Sequence, residues 1–273
     1  MKIIEQFIES KTGKPEDCED GIFVGKDFIA VIDGVTTRGK KLWGKNQVTS
    51  GVYAKDVLIS AMAKMKPTIS AEQAIEYLTN ALKNEYGNNA TDDVKERLQA
   101  VIVIYSAHHK QVWLYGDCGC LAGGKFYTQE MLTDKVTTTA RSLYTNAMLL
   151  QGTSVEELLI KDPGRQVIQP LLDVEGLFAN TTHEFGYPVL NGVNFNLGLI
   201  QKINIKTGDK VVLATDGYPK LFDTLAETEK YLANLLKIDP LLINDFKATK
   251  RLTPGHVSFD DRSYISFSST DFT

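Results

Sequence analysis

The run Phe28-Ile-Ala-Val-Ile-Asp33-Gly34 constrains the fold more than any other stretch of the chain. Five apolar residues, most of them isoleucine or valine, read as a buried strand. The strand stops at an acid, and a carboxylate at the mouth of a buried strand is costly unless something positive meets it. The design recurs at Lys210-Val-Val-Leu-Ala-Thr-Asp216-Gly217 and at Val112-Trp-Leu-Tyr-Gly116-Asp117. It runs in reverse where Asp260-Asp261 precedes Ser263-Tyr-Ile-Ser-Phe267. In an antiparallel sheet the end of one strand and the start of its neighbour share an edge. Four acidic positions are therefore expected to converge on one rim, with a divalent metal cluster as the cause.

The rest of the composition narrows the class. At 273 residues the chain suits one domain, 1–273, with its own core. A net charge of −4 gives no basis for nucleic-acid binding. No apolar run approaches the ~20 residues that span a bilayer, and the N-terminus lacks a signal-peptide core. Three cysteines, Cys18, Cys118 and Cys120, show no Cys-x-x-Cys spacing. The expectation is a cytoplasmic, reduced protein that uses neither nucleic acid nor membrane; its oligomeric state is open.

Residues 3–9 read as a first strand. Gly21–Val24 and Phe28–Ile32 form a hairpin around Gly25-Lys26-Asp27, and centring it on Lys26 places Glu19 opposite Asp33. Alone, Glu19 and Asp20 would be solvated loop acids; the pairing argues otherwise. The loop Val35–Lys45 leaves the same strand end and is dense in positive charge, so Arg38, Lys40 and Lys41 could meet an anionic substrate or merely be solvated. Two covering helices follow, over 47–66 and from a capping box at Ser70–Gln73 until Gly87. Ala100–Tyr105 and Gln111–Tyr115 make a second hairpin, with His108 and His109 at the far tip. Within an irregular insertion at about 128–200, Ser142–Gln151, a segment after Ser154, and Gln166–Leu172 read as helical. Asp162-Pro-Gly reads as a turn and Phe185–Gly192 as a strand pair. Leu199–Ile205 and Lys210–Ala214 read as the hairpin that delivers Asp216, with a helix over 225–236 after it.

Taken together, Cys18-Glu19-Asp20, Ala30-Val-Ile-Asp33-Gly34, Gly116-Asp117-Cys118, Leu213-Ala-Thr-Asp216-Gly217 and Asp260-Asp261-Arg262-Ser263 resemble, in order, the motifs of the metal-dependent type 2C protein phosphatases. Each is weak alone; five in sequence over most of the chain are specific. The resemblance implies an α+β fold, a four-layer α-β-β-α sandwich of two antiparallel sheets flanked by helices. It implies two Mn²⁺ or Mg²⁺ ions bridged by Asp33. Asp216 and Asp260 would complete the first site, Glu19 and the Gly34 carbonyl the second, and Asp117 matches the place of a weaker third ion. The implied catalytic residues are Asp33 and Asp216, through a metal-activated water, and the implied substrate is a phosphorylated protein or a small phosphomonoester.

The residue types agree with that chemistry. Hard oxygen donors without Cys or His favour Mg²⁺ or Mn²⁺ over zinc. Phosphate-monoester hydrolysis is among the slowest uncatalysed reactions and needs such electrostatic help. The chain also departs from the family. The usual Asp-Gly-His-Gly-Gly is Asp33-Gly-Val-Thr-Thr-Arg-Gly here, Pro15 stands where some members carry a phosphate-binding arginine, and Gly-Asp-Ser-Arg reads Gly-Asp-Cys-Gly. Two other readings therefore stand beside the phosphatase: a fold-sharing binding module that has lost turnover, and acids that merely cap strands or hold structural cations.

Overall fold

A computed structural model describes residues 1–37, 39–86 and 93–269. Two five-stranded antiparallel sheets form the centre. One has the order β1 (Lys2–Glu9), β10 (Arg262–Ser268), β9 (Lys210–Ala214), β6 (Gly119–Ala122), β7 (Lys125–Tyr127). The other runs β2 (Asp20–Val24), β3 (Phe28–Val35), β4 (Gln99–Ser106), β5 (Gln111–Tyr115), β8 (Gln201–Asn204). Helices α1 (Ser50–Met62) and α2 (Ala71–Glu85) cover the β3 sheet, and α6 (Leu225–Ile238) covers the β9 sheet. This is the α+β sandwich that the motifs imply.

Strand periodicity builds the layers. Successive side chains of a strand point to opposite faces. Ile29 and Val31 of β3 meet Val211, Leu213, Ile265 and Phe267 between the sheets. Ala30 and Ile32 turn the other way, onto Leu58, Met62 and Leu78 of α1 and α2. On β9, Val212 and Ala214 face Leu232 and Leu235 of α6. Both central strands are apolar on both faces because both faces are covered. Asp33 has the parity of Ile29 and Val31, which directs it to the seam between the sheets.

The hairpin register differs from the one expected. The Gly25 amide donates to the Phe28 carbonyl at 2.8 Å, so the turn centres between Lys26 and Asp27. Val24 then pairs with Ile29, and Asp20, not Glu19, lies opposite Asp33. A slip of one residue exchanges the faces of a strand, so the acid that joins Asp33 at the seam changes with it.

Other departures have local causes. Gln201–Asn204 pairs with β5 and Lys210–Ala214 with β10 and β6, so β8 and β9 belong to different sheets and are no hairpin. Thr207–Asp209 instead crosses between sheets, held by Gly208 N–H to the Ser269 carbonyl at 2.7 Å. Asp162 is a helix N-cap, its side chain accepting from the Arg165 amide at 2.9 Å, with Pro163 as the first residue of α5 (Pro163–Val174). Phe185–Gly192 makes isolated bridges, Tyr187 to Ala179 and Leu190 to Ala100, rather than a strand pair. The insertion's first helix, α3, spans Leu132–Leu150, longer than expected, and α4 (Val155–Ile160) opens on the Ser154–Glu157 capping box. The other capping box, at Ser70, is present as read, while the Gly87 stop lies outside the described residues.

A buried arginine holds the insertion to the body. Arg141 of α3, fully buried, donates to Asp162 at 2.8 Å and to the Leu241 and Ala248 carbonyls at 2.9 and 3.1 Å. Arg165 reaches the Thr249 carbonyl at 2.9 Å, and Arg251 reaches back to the Leu158 carbonyl at 3.0 Å. Replacing Arg141 with methionine leaves these acceptors unpaired. It should lower stability by about 3 kcal/mol in urea unfolding, whereas the same change at half-buried Arg251 should cost less.

Candidate functional site

Five carboxylates from both sheets meet on one edge of the sandwich. Asp33 lies in β3 two residues before its end, Asp20 opens β2, Asp216 follows β9, Asp260 precedes β10, and Asp117 lies where the chain crosses from β5 to β6. Thr215 and Asp20 join the sheets: the Thr215 hydroxyl donates to Asp20 at 2.5 Å while accepting from the Ser263 amide at 2.9 Å. Gly217 lets the turn after Asp216 close. A side-chain carbon there would lie 1.9 Å from the Asp261 carbonyl oxygen.

The electrostatics are those of like charges gathered out of water. The Asp33 carboxyl is pushed well above the usual range by burial, then by Asp216, Asp20 and Asp260. Burial and then Asp216 raise Asp117. Burial raises Asp20 although its bond to Thr215 opposes the shift. Asp216, raised by burial and then by Asp260, lies beside Asp33. Burial also works to raise Asp260, but Lys250 and then Lys11 hold it below the usual range. Asp134 of α3 joins from the insertion, its carboxyl pushed up to about 7 by burial, then by Glu175 and Asp216.

Glu19 has a different setting. Its carboxylate accepts from Lys11 at 3.1 Å, from the Thr49 hydroxyl at 3.1 Å and from the Thr36 hydroxyl. Asp261 is a bracket: it accepts from the Glu19 amide at 2.8 Å and the Lys11 amide at 2.7 Å, tying both loop residues to the start of β10. In the basic loop Arg38 lies outside the described residues, Lys40 is exposed, and the Lys41 ammonium sits 3.6 Å from the Trp43 ring centre. His109 Nε2 donates to the Ile69 carbonyl at 2.9 Å, at the hairpin tip away from the acids. The thiols offer no nucleophile: burial raises Cys118, with Asp33 and Asp117 adding to the shift, and burial pushes Cys120 up to about 12.

Asp20, Lys11, Lys250 and Asp134 were absent from the expected site. Asp20 follows from the even-length turn at Lys26-Asp27 that the structure shows, where an odd-length turn gives Glu19. The two lysines carried no signal, since both come from irregular loops.

Among the described residues, no three Asp, Glu, His or Cys side chains close tightly enough on one point to hold an ion as they stand. The donors nonetheless suit a hard divalent cation in kind. Asp33, Asp117 and Asp216 are all oxygen donors, each half-buried and raised by its neighbours' charge. Among the described residues no ion pair joins Asp33, Asp117 or Asp216 to a lysine or arginine at contact distance.

No protein-family model matches the chain, and no curated protein matches it in sequence. Among solved structures, the Mycobacterium tuberculosis serine/threonine phosphatase PstP/Ppp superposes over 100% of both chains, with a TM-score of 0.50 at 12% identity. PppA of Pseudomonas aeruginosa, a regulatory component of T6SS, gives 0.47 at 13% identity over 97% of this chain and 96% of its own. The S. agalactiae serine/threonine phosphatase gives 0.47 at 12% identity over 97% and 98%. The last two fall below the level at which a superposition speaks to the fold. The chain has the type 2C phosphatase fold, in agreement with its motifs.

The raised acids set a pH dependence. A carboxyl whose folded value is raised contributes stability fully below its ordinary range and loses it as pH rises through the raised value. With chelator present, the melting temperature should therefore fall as pH rises from 5 to 8. Asp33→Asn should reverse part of that fall and raise metal-free stability at pH 8 by about 1 kcal/mol. A melting temperature that is flat over this range, or lowered by the substitution, would contradict the electrostatic account.

Proposed function

We propose that this protein is a metal-dependent phosphomonoester hydrolase, acting on phosphoserine or phosphothreonine in a protein or on a small phosphomonoester. The observation that carries this reading is the meeting of Asp33 and Asp216. They come from different sheets, lie close enough for each to act on the other's charge, and share a half-buried rim with Asp117 and Asp260. A bound Mg²⁺ or Mn²⁺ supplies an acidified water and neutralises charge on the phosphoryl oxygens.

The chain's own residues divide the remaining work. Asp33 and Asp216 are the residues that would hold the cation, with Asp117 beside them at the place of a weaker further ion; Asp260, which the resemblance adds to the same site, is engaged by Lys250 and Lys11. Glu19 and the Gly34 carbonyl stand where the resemblance puts a second strong site. Asp20, locked by Thr215, holds the β2 end against Asp33 and so keeps the two sheets in register at the rim. Lys250 pairs with Asp260 and leaves positive charge beside the acids, which favours approach of an anionic substrate. Lys40 is an exposed cation of the basic loop that could meet a phosphate, Lys41 lying over Trp43, and Arg38 is proposed with it. The absence of a usable thiolate among the described residues fits hydrolysis without a covalent cysteinyl intermediate.

Hydrolysis of para-nitrophenyl phosphate by metal-stripped protein tests the reading. Turnover should require added Mn²⁺ or Mg²⁺, and Asp216→Asn should lower kcat about 10³-fold without lowering the melting temperature. Bound Mn²⁺ without turnover would make the chain a binding module instead.

A further inference from the structure

The place that would hold a second ion is filled by the protein itself. Lys11, in the loop after β1, puts its ammonium 3.1 Å from Glu19, 3.5 Å from Asp260 and 3.5 Å from Asp261. Its position is fixed rather than adaptable, because its own amide is bonded to Asp261 and the next turn closes through Gly13 N–H to the Ser10 carbonyl at 2.9 Å. Both Glu19 oxygens already accept hydrogen bonds, one from Lys11, the other from the Thr36 and Thr49 hydroxyls.

The first turn of α1 lies beside the Gly34 carbonyl, and glycine leaves the space between them open: a side-chain carbon added to Gly51 would fall 2.6 Å from the Gly34 oxygen and 2.6 Å from Glu19 Oε1. Thr49, the N-cap of that helix, donates to Glu19 while accepting from the Val52 amide. Cap and lysine thus converge on the Glu19 carboxylate. A cation bonded to Glu19 would also share that carboxylate with an ammonium, and like charges at this range repel.

We infer that Lys11 is a built-in cation standing in for the second metal ion, so that this chain binds one divalent ion where the family pattern has two. The inference rests on the metal-dependent reading above and specifies it: one resident ion on the Asp33–Asp216 side, one fixed ammonium on the Glu19 side. It gives one departure in the motif a cause. Thr36 stands in the stretch that is His-Gly-Gly in the family pattern, and its hydroxyl serves Glu19 instead.

Metal content decides the matter without reference to turnover. Native protein, dialysed to equilibrium against Mn²⁺ and analysed by plasma mass spectrometry, should carry one ion per chain, and its electron paramagnetic resonance spectrum should be that of an isolated Mn²⁺. Lys11→Met should carry two, with the exchange-coupled spectrum of a pair. Glu19→Gln, in a chain that otherwise keeps its lysine, should still carry one, with Mn²⁺ affinity within about threefold of native. Two coupled ions in the native protein, or loss of one of them in Glu19→Gln, would overturn the inference while leaving the hydrolase reading intact. A native protein that binds no Mn²⁺ would overturn both. Should Lys11→Met fail to fold, the native count and Glu19→Gln decide alone.

Discussion

The structure depends on a repulsion that the fold creates and must then manage. Two apolar sheets are stacked face to face, and four chain segments place carboxylates where their edges meet. Nothing about the core requires those acids; Ile29, Val31, Leu213 and Ile265 would pack as well beneath neutral caps. What the fold supplies is tolerance. Thr215 neutralises none of the charge, yet its hydroxyl holds Asp20 in place across the seam. Lys11 and Lys250 balance one side, around Glu19, Asp260 and Asp261. The other side, at Asp33, Asp117 and Asp216, has no lysine or arginine at contact distance among the described residues. An arrangement stable in its core and strained at one rim is the usual signature of a site whose function sets the residue types.

The asymmetry between those sides organises the chemistry. Cations that the protein carries itself are permanent, and they fix the geometry of the loops they bind. Cations taken from solution are exchangeable and can bring a water with them. On the reading proposed, dividing one acidic rim between the two kinds would leave the exchangeable position where Asp33 and Asp216 meet, at the ends of two buried strands. Those strands are covered on both faces.

The sheets were legible in the sequence because buried strands announce themselves by composition and by abrupt ends. Asp33, Asp117, Asp216 and Asp260 were legible for the same reason, as acids at those ends. The choice between Glu19 and Asp20 was not, because it hangs on whether a turn holds an odd or an even number of residues, and Gly25-Lys26-Asp27 allows either. Pairing β8 with β9 failed because adjacency in sequence favours a hairpin, whereas each strand found its partner in a different sheet. Lys11 was invisible for a deeper reason. It lies in a polar loop with no period, and its partner Asp261 is 250 residues away. Arg141, Arg165 and Arg251 share that difficulty, since their acceptors are mostly backbone carbonyls, which no residue pattern encodes.

The arginine clamp makes the insertion part of the site's architecture. Lys250 stands between Thr249 and Arg251, in the segment gripped from both sides by the helices of the insertion, and it is Lys250 that lies against Asp260. The outer faces of α3 and α5 can drift in sequence with little effect. Their inner faces cannot, because a shift there would move an ammonium relative to the rim. Lengthening or trimming this region would therefore retune the charge balance among the acids even though no helix residue but Asp134 approaches them.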